Sequence, residues 1–418
     1  MREARARVVV VGAGFAGLRA VRRLASEPVD VTLVDRHNYN TFQPLLYQVA
    51  TAGLDEGGVA HTIRAIFADN ANVEVQLGTA SGVDFTERVV ELEDGASLAY
   101  DALVLAAGAT TNDFGIPGVA DFAFPLYTLS EAIQLRQHIL SCFEATERNP
   151  ALVDDGALTV LIVGGGPTGV ETAGTLAELF TKVLSKGYRR ADVHRARVIV
   201  MEMGTELLAS FRPASRQNAR ESLADRGVDV RFGERVSEVS ARGVRLASGE
   251  EILTRTVVWT AGVRPNPLAD GLGLPQAAGG RIQVEPDLSL RDRPEVFVVG
   301  DIAASQSRSG QLLPQLAPVA MQAGTHAGEQ VMRHLRGEPT QRFRYRNKGT
   351  MATIGRHAAV ADLPVGITLR GTIAWLAWLL LHLIYLIGFE NRAQVLVQWA
   401  WNYCTWNWGP RLVIHRDR

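Results

Sequence analysis

Val8-Val9-Val10-Val11 runs straight into Gly12-Ala13-Gly14-Phe15-Ala16-Gly17. Four β-branched residues in a row read as a strand buried on both faces. The glycines follow as G-x-G-x-x-G. Gly12 permits the tight turn, Gly14 lets backbone approach a pyrophosphate, and Gly17 lets the next helix pack on the strand. That helix, beginning at Leu18, offers its N-terminal N–H groups and positive dipole end to phosphate. One such fingerprint is weak on its own. Here a second strand, from Val29 to Val34, ends in Asp35, where an acid can accept from a ribose hydroxyl. Strand, turn, helix, strand and acid together predict a dinucleotide site.

The fingerprint then repeats. Leu158 to Val163 leads into Gly164-Gly165-Gly166-Pro167-Thr168-Gly169, a helix, and a strand from Arg197 to Met201 that ends in Glu202. The second copy is longer, and residues 182–195 read as the extension. Two copies are far more specific than one and predict two dinucleotides with electron transfer between them. Glu202 accepts from a ribose hydroxyl and repels a 2′-phosphate, and no arginine follows until Arg212. NADH is therefore favoured over NADPH at the second site, which leaves FAD for the first.

Other segments fall into place around these two. Residues 36–53 are rich in aromatic and amide groups without a period. They read either as a packed loop and helix start or as a cover for a flavin, with Gln43 near the ring. Val73–Gly78 and Arg88–Leu92 read as strands of a small sheet, and Ser130 as the N-cap of a helix reaching Arg148. The strand from Tyr100 ends in Ala107 and Gly108, and the strand from Thr256 ends in Ala261 and Gly262; small residues at a strand's carboxyl end let backbone approach a ligand. The strand from Glu295 closes with Gly300-Asp301. Asp301 reads as an acceptor for a ribityl hydroxyl with a helix N-terminus behind it, or as a plain N-cap.

A chain of 418 residues exceeds one ordinary core and predicts roughly two or three domains. A net charge of -1 argues against a nucleic-acid surface. Cys142 and Cys404 form no metal or redox pair, which favours a reducing compartment. The basic residues before Val8 look like a signal peptide, but the apolar run is too short, so a mature cytoplasmic N-terminus is expected.

Four segments are more specific than the fingerprints or support them: Phe42–Gly53, Gly164–Glu171, Thr260–Asn266 and Lys348–Gly355. On these the chain resembles the pyridine nucleotide-disulfide reductase superfamily and, within it, the type II NADH:quinone oxidoreductases along essentially its whole length. The resemblance implies an α/β fold of two Rossmann-like domains, the NADH domain inserted into the FAD domain, with a membrane-associating helical tail. The implied boundaries are 1–155 and 290–345 for FAD, 156–289 for NADH and 346–418 for anchoring or dimerisation. It implies hydride transfer from NADH to flavin and electrons on to a membrane quinone, without proton pumping, on the cytoplasmic face of the inner membrane. Glu171 is implied near nicotinamide and flavin, and Lys348 near the flavin. Many members carry A-Q-x-A-x-Q beside the flavin. Here it is Ala317-Pro318-Val319-Ala320-Met321-Gln322, so Gln322 matches the second glutamine and Pro318 replaces the first. Sulfide:quinone and ferredoxin-type reductases, and a membrane-bound flavin sensor of NADH, are the alternatives. The two cysteines are poorly placed for sulfide chemistry, and turnover with quinone separates an enzyme from a sensor.

The tail carries the last signal. Residues 372–389 have no formal charge and, as one helix, span about 27 Å, short of a ~30 Å hydrocarbon core. A second apolar-aromatic stretch runs from Val395 to Trp408. Six of the seven tryptophans lie here: Trp375, Trp378, Trp399, Trp401, Trp406 and Trp408. With Arg392, Arg411, Arg416 and Arg418 they suit a lipid–water boundary. Paired interfacial helices are expected, with a homodimer interface or one spanning helix as the other readings.

Overall fold

The computed structural model describes residues 5–405 and 411–413. The chain forms two compact units, each assembled from three separated stretches.

The first unit comprises Met1–Asn40, His61–Thr110 and Val263–Asn347. Its sheet has six strands in the order Ser289–Leu290, Arg293–Val298, Ala102–Leu105, Ala6–Val11, Val29–Asp35, Val73–Leu77. All neighbours are parallel except the Ser289–Leu290 edge. The central residues Val8, Val10 and Leu103 are fully buried, as a strand covered on both faces requires. Helices Phe15–Leu24 and Ala317–Leu335 pack so closely that a Cβ on Gly324 would lie 2.0 Å from the Ala16 carbonyl oxygen. The expected small sheet is split. Val73–Leu77 pairs parallel with the strand ending in Asp35 and edges the large sheet. Val89–Leu92 alone sits in a three-stranded meander with Ala80–Asp84 and Ser97–Ala99.

The second unit comprises Thr41–Ala60, Thr111–Gly262 and Lys348–Arg418. Its five-stranded parallel sheet runs Ala123–Pro125, Thr256–Trp259, Thr159–Val163, Arg197–Glu202, Asp229–Phe232. These divisions differ from boundaries at 155/156 and 289/290, because the edge strand Ala123–Pro125 already belongs to this sheet. The helix beginning near Ser130 spans Leu129–Arg148, and its N-cap is Thr128. Thr128 Oγ1 accepts from the Glu131 amide while the Glu131 carboxylate accepts from the Thr128 amide, a capping box.

A three-stranded sheet, Thr350–Gly355, Ala358–Asp362 and Thr368–Arg370, leads into the tail helices Gly371–Tyr385 and Phe389–Thr405. The single helix expected over 372–389 stops at Tyr385. Leu386 leaves the helix with ψ 139°, and Gly388 takes φ +82°. The Arg392 guanidinium donates to the carbonyls of Ile384 and Leu386, each at 2.9 Å. It closes the first helix's C-terminus and is committed there rather than to a head group. The tryptophans also depart from expectation. Trp375, Trp378 and Trp399 are buried within their own unit, while Ile373, Leu376, Leu380, Ile384, Val397 and Trp401 face outward. Among the described residues no helix is long and apolar enough to cross a membrane. Trp406, Trp408, Arg416 and Arg418 lie outside the described residues.

Candidate functional site

The two fingerprints form the same cradle twice, once in each unit. Gly12 has φ +100° and Gly164 has φ +115°, a backbone state that suits glycine. A Cβ on Gly17 would lie 1.7 Å from the Gly12 carbonyl oxygen; on Gly169 it would lie 1.9 Å from that of Gly164. At Gly14 and Gly166, by contrast, a Cβ meets nothing within 4 Å. Protein packing therefore explains the outer glycines of each motif but not the middle ones. Each middle glycine precedes a helix whose first N–H groups are unpaired by the helix itself, which fits a ligand phosphate at that place.

The two acids repeat as closely. Asp35 accepts from the Ala13 amide at 2.6 Å and the His37 amide at 2.8 Å. Glu202 accepts from the Gly165 amide at 2.7 Å and the Gly204 amide at 2.7 Å. In both copies the carboxylate is anchored by the residue after the first glycine and by its own second neighbour. A carboxylate has about four acceptor sites, so each acid keeps capacity for a sugar hydroxyl. Arg212, the first arginine after Glu202, is used elsewhere. Its guanidinium donates to the Leu363 carbonyl at 3.0 Å and to Thr368 Oγ1 at 3.3 Å.

The small strand ends sit against these turns. In the first unit a Cβ on Gly12 would reach the Ala106 carbonyl oxygen at 2.4 Å and the Ala107 Cα at 3.2 Å; Gly108 has φ +71°. In the second, Gly164 abuts Thr260, and Gly262 has φ +155°. Asp301 lies inside a one-turn 3-10 helix, Gly300–Ile302, rather than at the start of a long helix. The long helix begins at Ala317, and Pro318 occupies its first turn. There a missing N–H costs no helical bond, so the departure from A-Q-x-A-x-Q is locally harmless.

Glu171 lies in the second turn of helix Pro167–Glu178, past the first-turn N–H groups, so the helix dipole is not its main influence. It is buried, and burial pushes its carboxyl up to about 8. The Thr353 amide, which donates to Oε1 at 3.2 Å, pulls the other way. So does the Trp378 indole N–H, although it makes no well-formed hydrogen bond. The carboxyl is therefore largely protonated at neutral pH. Tyr47 is fully buried, and its hydroxyl is held well above the ordinary range by burial first and the Glu171 charge second.

Sequence reasoning missed this surround. Trp399 Nε1 donates to Gln48 Oε1 at 2.7 Å, and Gln48 Nε2 donates to the Tyr47 hydroxyl at 2.8 Å. Asn402 Nδ2 donates to the Gly53 carbonyl at 2.7 Å. The His382 ring stacks on Trp378 at 3.9 Å, its Nδ1–H donates to the Trp378 carbonyl, and burial lowers it to about 4, so it is neutral. Tyr47 and Gln48 were visible inside the Phe42–Gly53 motif; the tail tryptophans pointed the other way. Trp378→Ala is expected to destabilise the unit by about 3–5 kcal/mol, read from urea unfolding. For the same reason deletion from Gly371 should give an unfolded second unit rather than a detached enzyme.

The remaining candidates make defined contacts. Gln43 donates to the Tyr127 carbonyl at 3.2 Å. Lys348 Nζ donates to the Tyr385 hydroxyl at 3.1 Å and lies 5.8 Å from that ring's centre. Gln322 makes a double clasp on the Arg346 backbone, donating to its carbonyl and accepting from its amide, both at 3.0 Å. Its amide group is thus occupied by main chain two residues before Lys348.

The chain matches two families, one described as pyridine nucleotide-disulphide oxidoreductase over residues 6–324 and one as NDH2 C-terminal domain over residues 347–405. It is 38% identical over 415 residues to type II NADH:quinone oxidoreductase NdhA of Mycobacterium tuberculosis, covering 95% of this chain and 87% of that protein. It is 30% identical to demethylphylloquinone reductase NdbB of Synechocystis, covering 96% of both. Its fold is also that of NDH2 from Plasmodium falciparum in complex with NADH, with a TM-score of 0.91, 20% identity, and coverage of 98% of this chain and 100% of that one.

Proposed function

The chain belongs to the pyridine nucleotide-disulphide oxidoreductases and, within them, to the type II NADH:quinone oxidoreductases, and from that membership we infer which of its parts performs which task. It carries electrons from NADH through a flavin to a quinone. Bound FAD supplies the two-electron exchange between nicotinamide and quinone, chemistry that side chains lack.

Gly12, Gly14 and Gly17 hold the FAD pyrophosphate, with Asp35 on its ribose and Ala107, Gly108, Asp301 and Ala317 lining the same site. Gly164, Gly166 and Gly169 hold NADH, with Glu202 on the adenosine ribose and Gly262 beside the nucleotide. The observation that carries this reading is the duplicated cradle, in which each acid is held by two backbone amides and each middle glycine faces open space. Quinone reduction by hydride also consumes a proton. Glu171, buried and protonated at neutral pH, keeps one at its carboxyl oxygen. Lys348 is oriented by Tyr385, and Gln322, clasping Arg346, acts as a positioning residue for that segment. The test compares NADH, NADPH and sulfide as donors to a soluble quinone. NADH should give the highest kcat/KM. Equal or better turnover with sulfide or NADPH rejects the assignment.

The outward face of the tail rests on a lipid surface, on the cytoplasmic side of the inner membrane. The support is its composition: Ile373, Leu376, Leu380, Ile384, Val397 and Trp401 are exposed while Trp375, Trp378 and Trp399 are buried. Changing Ile373, Leu380 and Val397 together to glutamate leaves the buried face intact. It should lower partition onto lipid vesicles at least about tenfold, since burial of one aliphatic side chain is worth roughly 1.5–3 kcal/mol. Vesicle binding at the wild-type level, with a dimer converted to monomer, would make this face a homodimer interface instead.

A further inference from the structure

The strand Arg197–Glu202 pairs in parallel with Asp229–Phe232, and the register sets Glu202 opposite Phe232. The loops that leave the two strands therefore run side by side. They are joined where the Gly233 amide donates to the Gly204 carbonyl at 3.0 Å. This brings Arg235 to Met203, the residue next to Glu202, with Nη2 3.7 Å from Sδ. Both side chains are exposed, Met203 to 65%. A large thioether held open to solvent beside the sugar-reading acid has no packing role.

The nearby cations differ from Arg235 in being committed. Arg212 donates to Leu363 and Thr368. Arg216 pairs with Glu206. Arg220 lies 5.2 Å over the Phe232 ring. Arg231 bonds Asp229 and Glu250. Arg235 has no ion-pair partner among the described residues; its one polar contact is the weak acceptor Met203 Sδ.

We propose that Met203 and Arg235 form the adenosine end of the second dinucleotide site, and that Arg235 is a ready ligand for a 2′-phosphate which Glu202 alone keeps out. The inference rests on the reading of Glu202 as the ribose acid. A thioether and a planar guanidinium are both suited to the face of a purine. The Glu202 carboxylate, fixed by the Gly165 and Gly204 amides, places negative charge at the sugar and repels a phosphate dianion. Without that charge, the adjacent guanidinium has the fork geometry that phosphate oxygens accept. Sequence spacing could not find this residue. Arg235 arrives from the next strand's loop, 33 positions beyond Glu202 in the chain.

The test is a double-mutant cycle on the flavin-loaded enzyme, with NADH and NADPH as donors and with NAD+ and NADP+ binding measured by calorimetry. Wild-type turnover of NADH with quinone checks the underlying assignment separately. Glu202→Gln should raise kcat/KM for NADPH by about tenfold or more and tighten NADP+, and adding Arg235→Ala should remove both gains. Gains of equal size with and without Arg235 overturn the proposal. Arg235→Ala alone keeps Glu202 and the two amides that fix it, so it serves if Glu202→Gln does not fold. It should raise KM for NADH about three- to tenfold with kcat within about twofold. An unchanged KM and an unchanged NAD+ affinity overturn the proposal.

Discussion

Gly14→Val should fold normally and purify colourless. A Cβ at Gly14 meets no protein atom within 4 Å, and its φ of −72° is open to any residue. The protein alone therefore loses little by the substitution, and its melting temperature without flavin should stay near the parent's. The side chain fills only the space into which a pyrophosphate must come, so FAD affinity should fall by about a hundredfold or more, roughly 2.7 kcal/mol. Gly166→Val is the matched experiment, since its Cβ is equally unopposed. That variant should retain its yellow colour yet no longer bleach on addition of NADH. Visible absorbance before and after NADH reads both results. Full flavin content in Gly14→Val would remove the cradle from the first site. Loss of flavin in Gly166→Val, with Gly14→Val yellow, would reverse the two assignments.

The second large effect is expected at Glu171. Its carboxyl titrates near 4.5 in an unfolded chain and at about 8 in the folded one, because burial disfavours the charge. Between those values the folded state binds more protons than the unfolded state, so stability falls as pH rises. The contribution is fully present below about pH 4.5 and is lost as pH passes through about 8. Glu171→Gln keeps the neutral shape and has no such slope. It should be the more stable protein at alkaline pH, by on the order of a few kcal/mol, since a tenfold change in proton affinity is worth about 1.4 kcal/mol. The same substitution leaves no proton to give. Flavin reoxidation by quinone should slow about 10–10³-fold, while reduction by NADH changes less. Rapid mixing across pH separates the two steps. The wild-type quinone step should decline above about pH 8, and the variant should be slow and flat. A variant whose quinone step keeps the wild-type pH profile would take the proton away from Glu171.

The parts of the molecule visible in the sequence are those governed by short-range geometry. Val8–Gly17 with Asp35, and Leu158–Gly169 with Glu202, are local units whose strand, turn and acid follow from backbone sterics and hydrogen-bond need. Both formed as expected. The missed features depend on partners distant in the chain. Val73–Leu77 has a strand's composition, but only pairing with Val29–Asp35 places it in the large sheet. Ser130 is a good N-cap in isolation, yet Thr128 wins because Glu131 stands at the right spacing to complete the box. The tail tryptophans fit a bilayer boundary by composition. Trp375, Trp378 and Trp399 are nevertheless inside, where Tyr47 meets Trp378 and Gln48 accepts from Trp399, partners that no local pattern announces. Gln322 shows the same limit, since its clasp on Arg346 is a tertiary fact.

The bond from Trp399 to Gln48 joins residues 351 positions apart, and the one from Asn402 to Gly53 joins residues 349 apart. This has a consequence for how the chain is made. On a ribosome the Phe42–Gly53 segment emerges long before Trp399 and Asn402, the partners of Gln48 and Gly53. The first unit likewise needs strand Arg293–Val298 and helix Ala317–Leu335 before its sheet and its glycine-packed helix pair are complete. Neither unit can close as an N-terminal domain ahead of the rest, the order that vectorial synthesis usually allows. Contacts of such separation also make folding slow. Until Trp399 and Asn402 are made the nascent chain thus holds unfinished units, and a premature stop ahead of Trp399 would yield an aggregation-prone polypeptide rather than a folded dehydrogenase.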